Sequence, residues 1–419
     1  MLKRTFGVLV LISIVMISAA CGNNATEESL QPQGESQNDV ISENSNSSGG
    51  TTISIESELY ETVESSDVAL VYSEGLDFTS LGNGNAIVTG LGDCDDDDVV
   101  IPPTTPDGDT VTEIEDSAFY QSGIMSVIIP DTVTVIGSNA FAHCPRLTNV
   151  SLPASLVTIE DEAFSYCSDL TDIVIPNGVE SIGYKAFECC GELTNVVMPD
   201  SVLTVGDSAF ASCGNIVDVQ LSNSMTSVGE RLFFGCSNLE TVSMPDGIET
   251  IGDYAFSQCG CLDNVDIPDS VISIGEYAFS ACSSLQSVVL PVGVTVIEEG
   301  TFSYCNELQD VQLQGNITTI GQEAFCHCVS LTSIEIPSSV TQIGWAALGN
   351  CSVLSTVVLP ETYDVPSEFY LTDSNPALNQ FRIFIDDHYA MSINGTSRLQ
   401  LINGEDASTW LSNHGYQED

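Results

Sequence analysis

The sequence is dominated by a phrase of 23 residues that returns along most of the chain. One copy, residues 163–183, reads AFSYCSDLTDIVIPNGVESIG, and the shared pattern is A-F-x-x-C-x-x-L-x-x-V-x-[IL]-P-x-x-V-x-x-I-G. Because a period in the twenties is typical of coils that each contact only their neighbours, the repeat predicts a solenoid. The phenylalanine recurs after 22 residues at the first interval and after 23 at every later one, at Phe119, Phe141, Phe164, Phe187, Phe210, Phe233, Phe256, Phe279, Phe302 and Phe325, with Leu348 in the next place.

Each copy contains one segment that reads as a short β-strand. In residues 147–152, LTNVSL, the two leucines and the valine are expected to face inward, and the third and fifth residues outward. The proline that follows cannot donate to a sheet, so it marks the end of the strand. The segment I-G-x-x-A-F is expected to turn the chain back, with glycine easing the bend. Ala-Phe would then enter a short helical or irregular turn.

The spacing of Phe, Cys, Pro and Ile-Gly resembles the BspA-like leucine-rich repeat of bacterial surface proteins. The likeness covers about residues 85–360, and the lead-in to Phe119 resembles the atypical first repeat of that family. It implies an α/β solenoid: a right-handed leucine-rich repeat superhelix with a parallel β-sheet and short helical or irregular turns, capped at both ends. It also implies display at a cell surface for binding or adhesion. The family has no common catalytic residues.

Ten cysteines occupy the same position of the repeat in ten consecutive copies. A small apolar side chain with a weak S–H donor suits a tight interior corner, where it can meet a backbone carbonyl. Neighbouring strands about 4.8 Å apart hold parallel side chains too far apart for a disulfide, and a metal needs ligands that converge. We therefore expect buried free thiols at Cys144, Cys167, Cys190, Cys213, Cys236, Cys259, Cys282, Cys305, Cys328 and Cys351. For the cysteines outside this row, the sequence leaves local disulfides and surface thiols both open: Cys94, Cys189, Cys261 and Cys326.

The N-terminus reads as a lipoprotein export signal. Lys3 and Arg4 precede an apolar run too short to span a bilayer, and small residues lead into Cys21. This ending resembles the lipobox of bacterial lipoproteins, which implies lipidation of Cys21, although Ser18 stands where that family usually has leucine. The alternative is ordinary cleavage with Cys21 left as a spare thiol. The polar segment that follows has too few large apolar residues to fold and reads as a tether.

These features divide the chain into five parts. Residues 1–20 form a signal peptide, 21–52 a disordered tether, and 53–118 an N-terminal cap with the atypical first repeat. Residues 119–360 carry the 23-residue repeats, and 361–419 break the period. In the last part RIFID, YAMSI and RLQLI read as strands, with a turn at NGT between the last two. We expect this part to cap the solenoid, with a separate small binding module as the alternative.

The charge of the chain restricts its partners. Without residues 1–20 the sequence has 59 acidic and 5 basic residues, a net charge of −54, and Lys185 is its one lysine. Such a chain repels nucleic acid and anionic lipid, and it favours cations, basic proteins or neutral ligands. The alternative is that the charge only keeps an apolar-cored solenoid soluble.

The outward positions of the strands are the candidate ligand-binding face. They hold small polar and acidic residues, with valine at Val174, Val197, Val289 and Val358, and neither Arg, Lys nor an aromatic residue. This composition disfavours sugar stacking on rings and favours a basic peptide or a cation-bridged partner. The alternative is a solvated surface with no ligand. The candidate residues are Asn149, Asp172, Asn195, Asp218, Thr241, Asn264, Asp266, Asp310, Gln312 and Glu335.

No pattern for catalysis, metal binding or a cofactor stands out. CDDDD, residues 94–98, lacks the spacing of a calcium loop, and IDDH, residues 385–388, would place neighbours on opposite faces of a strand. Tyrosines near the Phe row are expected to pack between coils on the opposite side from the candidate face: Tyr166, Tyr184, Tyr254, Tyr277 and Tyr304.

The sequence therefore predicts a protein that is not an enzyme and uses no cofactor. We expect a lipid-anchored protein on the outer side of a bacterial membrane that binds an extracellular protein or peptide through the exposed sheet face. It would contact the membrane through its lipid alone and bind no nucleic acid. The alternatives are a structural envelope spacer with no specific ligand and an enzyme that uses the C-terminal segment.

Overall fold

The computed structural model describes residues 70–354 and 356–359 and three further strands between residues 381 and 401. The signal peptide, Cys21 and the tether lie outside the described residues, as does most of the C-terminal segment. The regular structure of the described part is entirely β. Its strands are β1 Asp77–Ser80, β2 Asn85–Gly90, β3 Asp98–Val100, β4 Thr110–Ile114, β5 Ser126–Ile128, β6 Val135–Ile136, β7 Asn149–Ser151, β8 Thr158–Ile159, β9 Ser181–Ile182, β10 Asn195–Val197, β11 Thr204–Val205, β12 Asp218–Gln220, β13 Ser227–Val228, β14 Thr241–Ser243, β15 Thr250–Ile251, β16 Ser273–Ile274, β17 Ser287–Leu290, β18 Val296–Ile297, β19 Asp310–Leu313, β20 Thr319–Ile320, β21 Ser333–Glu335, β22 Gln342–Ile343, β23 Thr356–Leu359, β24 Phe381–Ile385, β25 Tyr389–Asn394 and β26 Arg398–Leu401.

The L-x-x-V-x-[IL] segments form one parallel face, called here the front sheet. Its repeat strands are β3, β5, β7, β10, β12, β14, β17, β19, β21 and β23, and each pairing is parallel. The hydrogen-bonded ladder is interrupted at three places. Asp172 forms only an isolated bridge to Asn149, the coil at Asn264 has no strand, and β19 does not pair with β21. The solenoid with parallel strands is confirmed.

A second parallel ladder, called here the side ladder, runs along the V-x-x-I-G segments. It comprises β2, β4, β6, β8, β9, β11, β13, β15, β16, β18, β20 and β22, and β1 pairs antiparallel with β2 at its start. The expectation of one strand per coil was incomplete, because these segments also pair. A strand of two residues such as Thr204–Val205 shows no alternation that a sequence pattern could reveal.

The glycine of Ile-Gly permits close approach of coils. A Cβ on Gly206 would lie 2.4 Å from the backbone nitrogen of Tyr184, and one on Gly344 would lie 2.3 Å from that of Gln322. Neither glycine has a positive φ. Glycine is needed at these positions because it has no side chain, and not because the backbone adopts an unusual bend. The expectation that glycine eases the bend was therefore wrong in its reason.

The A-F-x-x-C segments form the third side of each coil as hydrogen-bonded turns, and no helix occurs among the described residues. The Phe141 N–H donates to the Ala163 carbonyl of the next coil at 2.7 Å. Most coils place two non-glycine residues in the left-handed region, such as Glu162 (φ 55°) and Tyr166 (φ 60°). Of the two kinds of turn that the sequence allowed, the irregular kind is the one present.

The core is a column of stacked rings bordered by the cysteine row. Neighbouring phenylalanines stack with ring centroids 4.9 Å apart at Phe119–Phe141 and 5.8 Å apart at Phe210–Phe233. All ten ladder cysteines are buried and free, which confirms the prediction of buried thiols. Each sulfur lies 3.0–3.3 Å from the carbonyl oxygen of a phenylalanine in the preceding coil.

The strands predicted in the C-terminal segment are present and extend the front sheet. β24 pairs parallel with β23, and β25 and β26 follow as antiparallel strands. Their pairing places them at the end of the ladder. Whether the segment closes the apolar end of the solenoid stays a prediction, as do the domain boundaries.

Candidate functional site

The front sheet presents most of the candidate residues in register; the exceptions are Asp172, which forms only a bridge, and Asn264 and Asp266, whose coil has no strand. Asn195, Asp218 and Thr241 are paired partners on three successive strands. Between the outward positions of these strands, Val196 and Val219 are buried in the core. The alternation of a β-strand therefore sets the outward residues in columns along the solenoid axis. All ten candidate residues are exposed: Asn149, Asp172, Asn195, Asp218, Thr241, Asn264, Asp266, Asp310, Gln312 and Glu335.

Some polar side chains of this face are already hydrogen-bonded to one another. The Thr241 hydroxyl donates to Asp218 Oδ1 on the neighbouring strand. Gln312 Nε2 donates to Asp310 Oδ2 at 3.0 Å, two positions along one strand. Because these bonds fix the side chains, two carboxylates of the face are pre-oriented and keep acceptor capacity for a ligand.

The carboxylates of the front sheet have no basic partner among residues 70–354. Residues 70–354 contain three Lys or Arg residues, Arg146, Lys185 and Arg231. Their salt bridges go to Asp97, Glu188 and Glu230, none of which belongs to the candidate face. The five acidic candidates therefore present uncompensated negative charge to solvent.

Exposed aliphatic residues share the face with the polar ones. Val174 is 79% exposed and Val197 is 56% exposed, and they occupy the same position in consecutive coils. Val289 is also exposed in the C-terminal half of the repeats. Sequence reasoning placed these valines outward, and the structure adds that the first two form a neighbouring pair without cover in the described chain.

The tyrosines near the Phe row fall into two groups. Tyr254 and Tyr277 are half-buried and stack at 5.1 Å, with the Arg231 guanidinium over the Tyr254 ring. Tyr166 and Tyr304 are exposed and stack on histidines, at 4.7 Å on His143 and at 4.3 Å on His327 respectively. Tyr184 is also exposed and belongs to no ring pair in the described residues.

The cysteines outside the ladder form no disulfide within the described residues, so the local disulfides that the sequence left open are not present there. Cys94, Cys189 and Cys261 are half-buried, and Cys326 is buried. Burial raises the pKa of Cys189 and of Cys326, which keeps both thiols protonated and weakly nucleophilic at neutral pH.

The acidic loop at residues 94–98 is tied to structural partners. Asp98 Oδ1 accepts a hydrogen bond from Ser126 at 2.6 Å, and Asp97 faces Arg146 at 3.5 Å. In the part of the chain that the structure describes, no group of three or more His, Cys, Asp or Glu side chains could hold a metal ion. Of IDDH, only Ile385 lies within the described residues.

A search of the described residues for a helix of the length and apolarity needed to cross a bilayer finds none.

The chain is similar to several proteins of known structure. A leucine-rich repeat protein from Bacteroides ovatus is 28% identical, with a TM-score of 0.50, and the match covers 70% of this chain and 94% of that one. A leucine rich cell surface protein from Faecalibacterium prausnitzii is 28% identical over 70% of this chain and 89% of that one, with a TM-score of 0.46. The pneumococcal vaccine antigen PcpA is 18% identical over 71% of this chain and 91% of that one, with a TM-score of 0.47.

Comparison with protein families identifies the repeat. No curated protein matches the chain. The family described as BspA type Leucine rich repeat region matches in six copies, over residues 104–217, 204–329 and 249–375. These matches span well over half of the chain and coincide with the stacked coils, so the chain belongs to the BspA-type leucine-rich repeat family.

Proposed function

We propose that this protein is a lipid-anchored cell-surface protein that binds an extracellular protein or peptide of basic character through its front sheet. The observation that carries the proposal is a set of five exposed carboxylates on the outward positions of the front sheet, none of which has a basic partner among residues 70–354. Three of them, Asp218, Asp310 and Glu335, lie on strands paired in parallel register. An extended, rigid face of this kind is the surface that solenoids commonly use for binding.

Charge complementarity favours a basic partner. Asp172, Asp218, Asp266, Asp310 and Glu335 contribute five negative charges to one face, within a chain of net charge −52. A partner rich in Lys or Arg would be steered to this field and would supply the missing counter-charges. The exposed valines Val174 and Val197 offer an apolar contact beside them.

The test compares charge removed from the face with the same charge removed elsewhere. The front variant carries Asp218→Asn, Asp266→Asn, Asp310→Asn and Glu335→Gln. The matched control carries Glu180→Gln, Asp246→Asn, Glu249→Gln and Asp269→Asn, which are exposed residues outside the front sheet. Fluorescence anisotropy with a labelled lysine–serine peptide at physiological salt gives the affinity of the parent chain and of each variant for the peptide.

The proposal predicts that the front variant binds the peptide about tenfold more weakly and that the control changes by less than about twofold. Equal weakening in the two variants would show attraction to net charge alone and would contradict a specific face. The spacer alternative predicts that result, together with altered envelope integrity and unchanged adherence on deletion of the protein.

The anchor is tested separately from the binding face. Attachment through Cys21 predicts incorporation of radioactive palmitate into the full-length protein in its bacterial host and its absence in a Cys21→Ala variant. A protein that stays cell-associated and unlabelled would contradict lipidation, whatever the front variant shows.

A further inference from the structure

A groove on the side ladder is distinct from the front sheet. It has a volume of about 670 Å³ and is lined by four successive coils, with Ser138 from the first of them. The other coils contribute residues 158–161, 181–184 and 204–207. The volume falls within the range of small-molecule sites, about 300–1,000 Å³.

The groove follows a corner position of the coils at which the repeat normally has the glycine of Ile-Gly and therefore no side chain. Glu160 occupies this position in one coil, and Gly183 and Gly206 occupy it in the next two. A Cβ on Gly183 would lie 2.5 Å from the Asp161 nitrogen, and one on Gly206 would lie 2.4 Å from the Tyr184 nitrogen. Close stacking of the coils therefore keeps this strip free of side chains.

Tyr184 supplies an aromatic ring to the groove. Its side chain is 43% exposed. The other exposed tyrosines of the turns, Tyr166 and Tyr304, stack on histidines, whereas Tyr184 stacks on no ring of the described chain. Lys185 Nζ lies 5.4 Å from the ring centroid and is paired with Glu188 at 2.9 Å. The Lys185 ammonium thus lies over one face of the ring, and 43% of the Tyr184 side chain is exposed.

Fixed hydrogen-bond acceptors flank the ring. Asp161 Oδ1 accepts from the Tyr184 backbone N–H at 2.7 Å, and Asp207 Oδ1 accepts from the Glu230 N–H at 2.9 Å. These bonds orient both carboxylates and leave acceptor capacity on each of them. The hydroxyls of Ser181 and Thr204 line the same groove and make no side-chain hydrogen bond to the described protein.

We propose that this groove binds a neutral sugar chain. The apolar C–H face of a sugar ring matches the electron-rich face of the Tyr184 ring, and sugar hydroxyls match the carboxylates and the Ser and Thr hydroxyls. Glu160, Asp161 and Asp207 would repel an anionic sugar. The front sheet lacks aromatic residues in its columns, so it does not offer this chemistry.

The experiment uses the full mature chain and three neutral probes: cellotriose, maltotriose and tri-N-acetylchitotriose. Calorimetric titration gives the affinity, and saturation-transfer NMR shows which sugar protons contact the protein. Binding of one of the probes is expected, with loss of at least about tenfold in affinity on Tyr184→Ala. Tyr184→Phe keeps the ring and should bind within about twofold of the parent chain.

The matched control is Tyr304→Ala, which removes an equally exposed tyrosine that stacks on His327 outside the groove. It should leave sugar affinity unchanged, as should the four front-sheet substitutions. Failure of this proposal can therefore be distinguished from failure of the proposed function. Binding of none of the three sugars, equal loss in the Tyr184 and Tyr304 variants, or salt-sensitive binding of spermidine in place of sugar would overturn it.

Discussion

The sulfur of Cys236 lies 3.2 Å from the carbonyl oxygen of Phe210, 26 positions earlier in the chain and one coil away. The Phe210 N–H in turn donates to the Leu232 carbonyl of that same neighbouring coil at 3.1 Å. Phe210 thus joins the next coil through both of its backbone polar groups, and the hydrogen bond to its carbonyl oxygen requires the Cys236 thiol. The cysteine of each repeat therefore hydrogen-bonds one coil to the preceding coil, which explains why it keeps the same position in every copy of the repeat.

Removing one ladder thiol should therefore destabilise the stack. Cys236→Ala deletes the S–H donor and leaves a small buried void and an unpaired Phe210 carbonyl, so we expect a loss of about 2 kcal/mol in the free energy of unfolding. Urea unfolding followed by circular dichroism measures it. Cys261→Ala, at a half-buried thiol outside the row, should cost less because water reaches the site. Equal costs would contradict the role of the ladder.

Burial of the ladder also predicts loss of stability at alkaline pH. Desolvation raises the pKa of Cys236, Cys282 and Cys351 to about 12. In the unfolded chain these thiols ionise near pH 8.5, so their contribution is complete below that pH and is lost as the pH rises toward 12. Each thiol should lower the free energy of unfolding by about 1.4 kcal/mol per pH unit in that window.

The measurement is urea unfolding from pH 7 to pH 10. Stability should be flat to about pH 8 and then fall, and a Cys236→Ala, Cys282→Ala double variant should fall less steeply by about 3 kcal/mol per pH unit. A parent chain whose stability does not change between pH 8 and pH 10 would show that the thiols are not buried.

The glycine of Ile-Gly should not accept a methyl group. Gly206→Ala would place Cβ 2.4 Å from the Tyr184 nitrogen, so neighbouring coils must separate, and we expect a cost of about 3 kcal/mol. Gly191→Ala is the control, because its Cβ would lie 3.9 Å from the nearest atom, the Ser168 oxygen. Thermal unfolding compares the two, and an unaffected Gly206→Ala would contradict the close approach.

Glycine in place of a left-handed residue of the turns should raise the free energy of unfolding. Ala281 has φ of 60°, which costs an L-residue about 1 kcal/mol relative to glycine, so Ala281→Gly should stabilise by up to that amount. Ala278→Gly, three positions earlier at a buried site without positive φ, should destabilise. Opposite signs in chemical unfolding support the turn geometry, and equal signs contradict it.

Some of this structure followed from the sequence and some did not, for identifiable reasons. The Phe and Cys rows and the exposed columns follow from a strict repeat combined with strand alternation, as at Asn195 and Asp218. The side ladder did not, because most of its strands have only two residues and are too short to show the alternation of apolar and polar side chains that predicts a strand. The groove at Tyr184 was missed because it depends on how closely the coils stack at the glycine of Ile-Gly, which the repeat pattern alone does not show.

Thiol counting tests the stacked-coil architecture most directly. A mature chain that begins after Cys21 is titrated with a thiol reagent, without reductant, first folded and then in denaturant. We predict that the ten ladder thiols are unreactive in the folded protein and all reactive once it unfolds. Ten thiols that react at once in the folded chain, or that stay hidden as disulfides in the unfolded one, would contradict it.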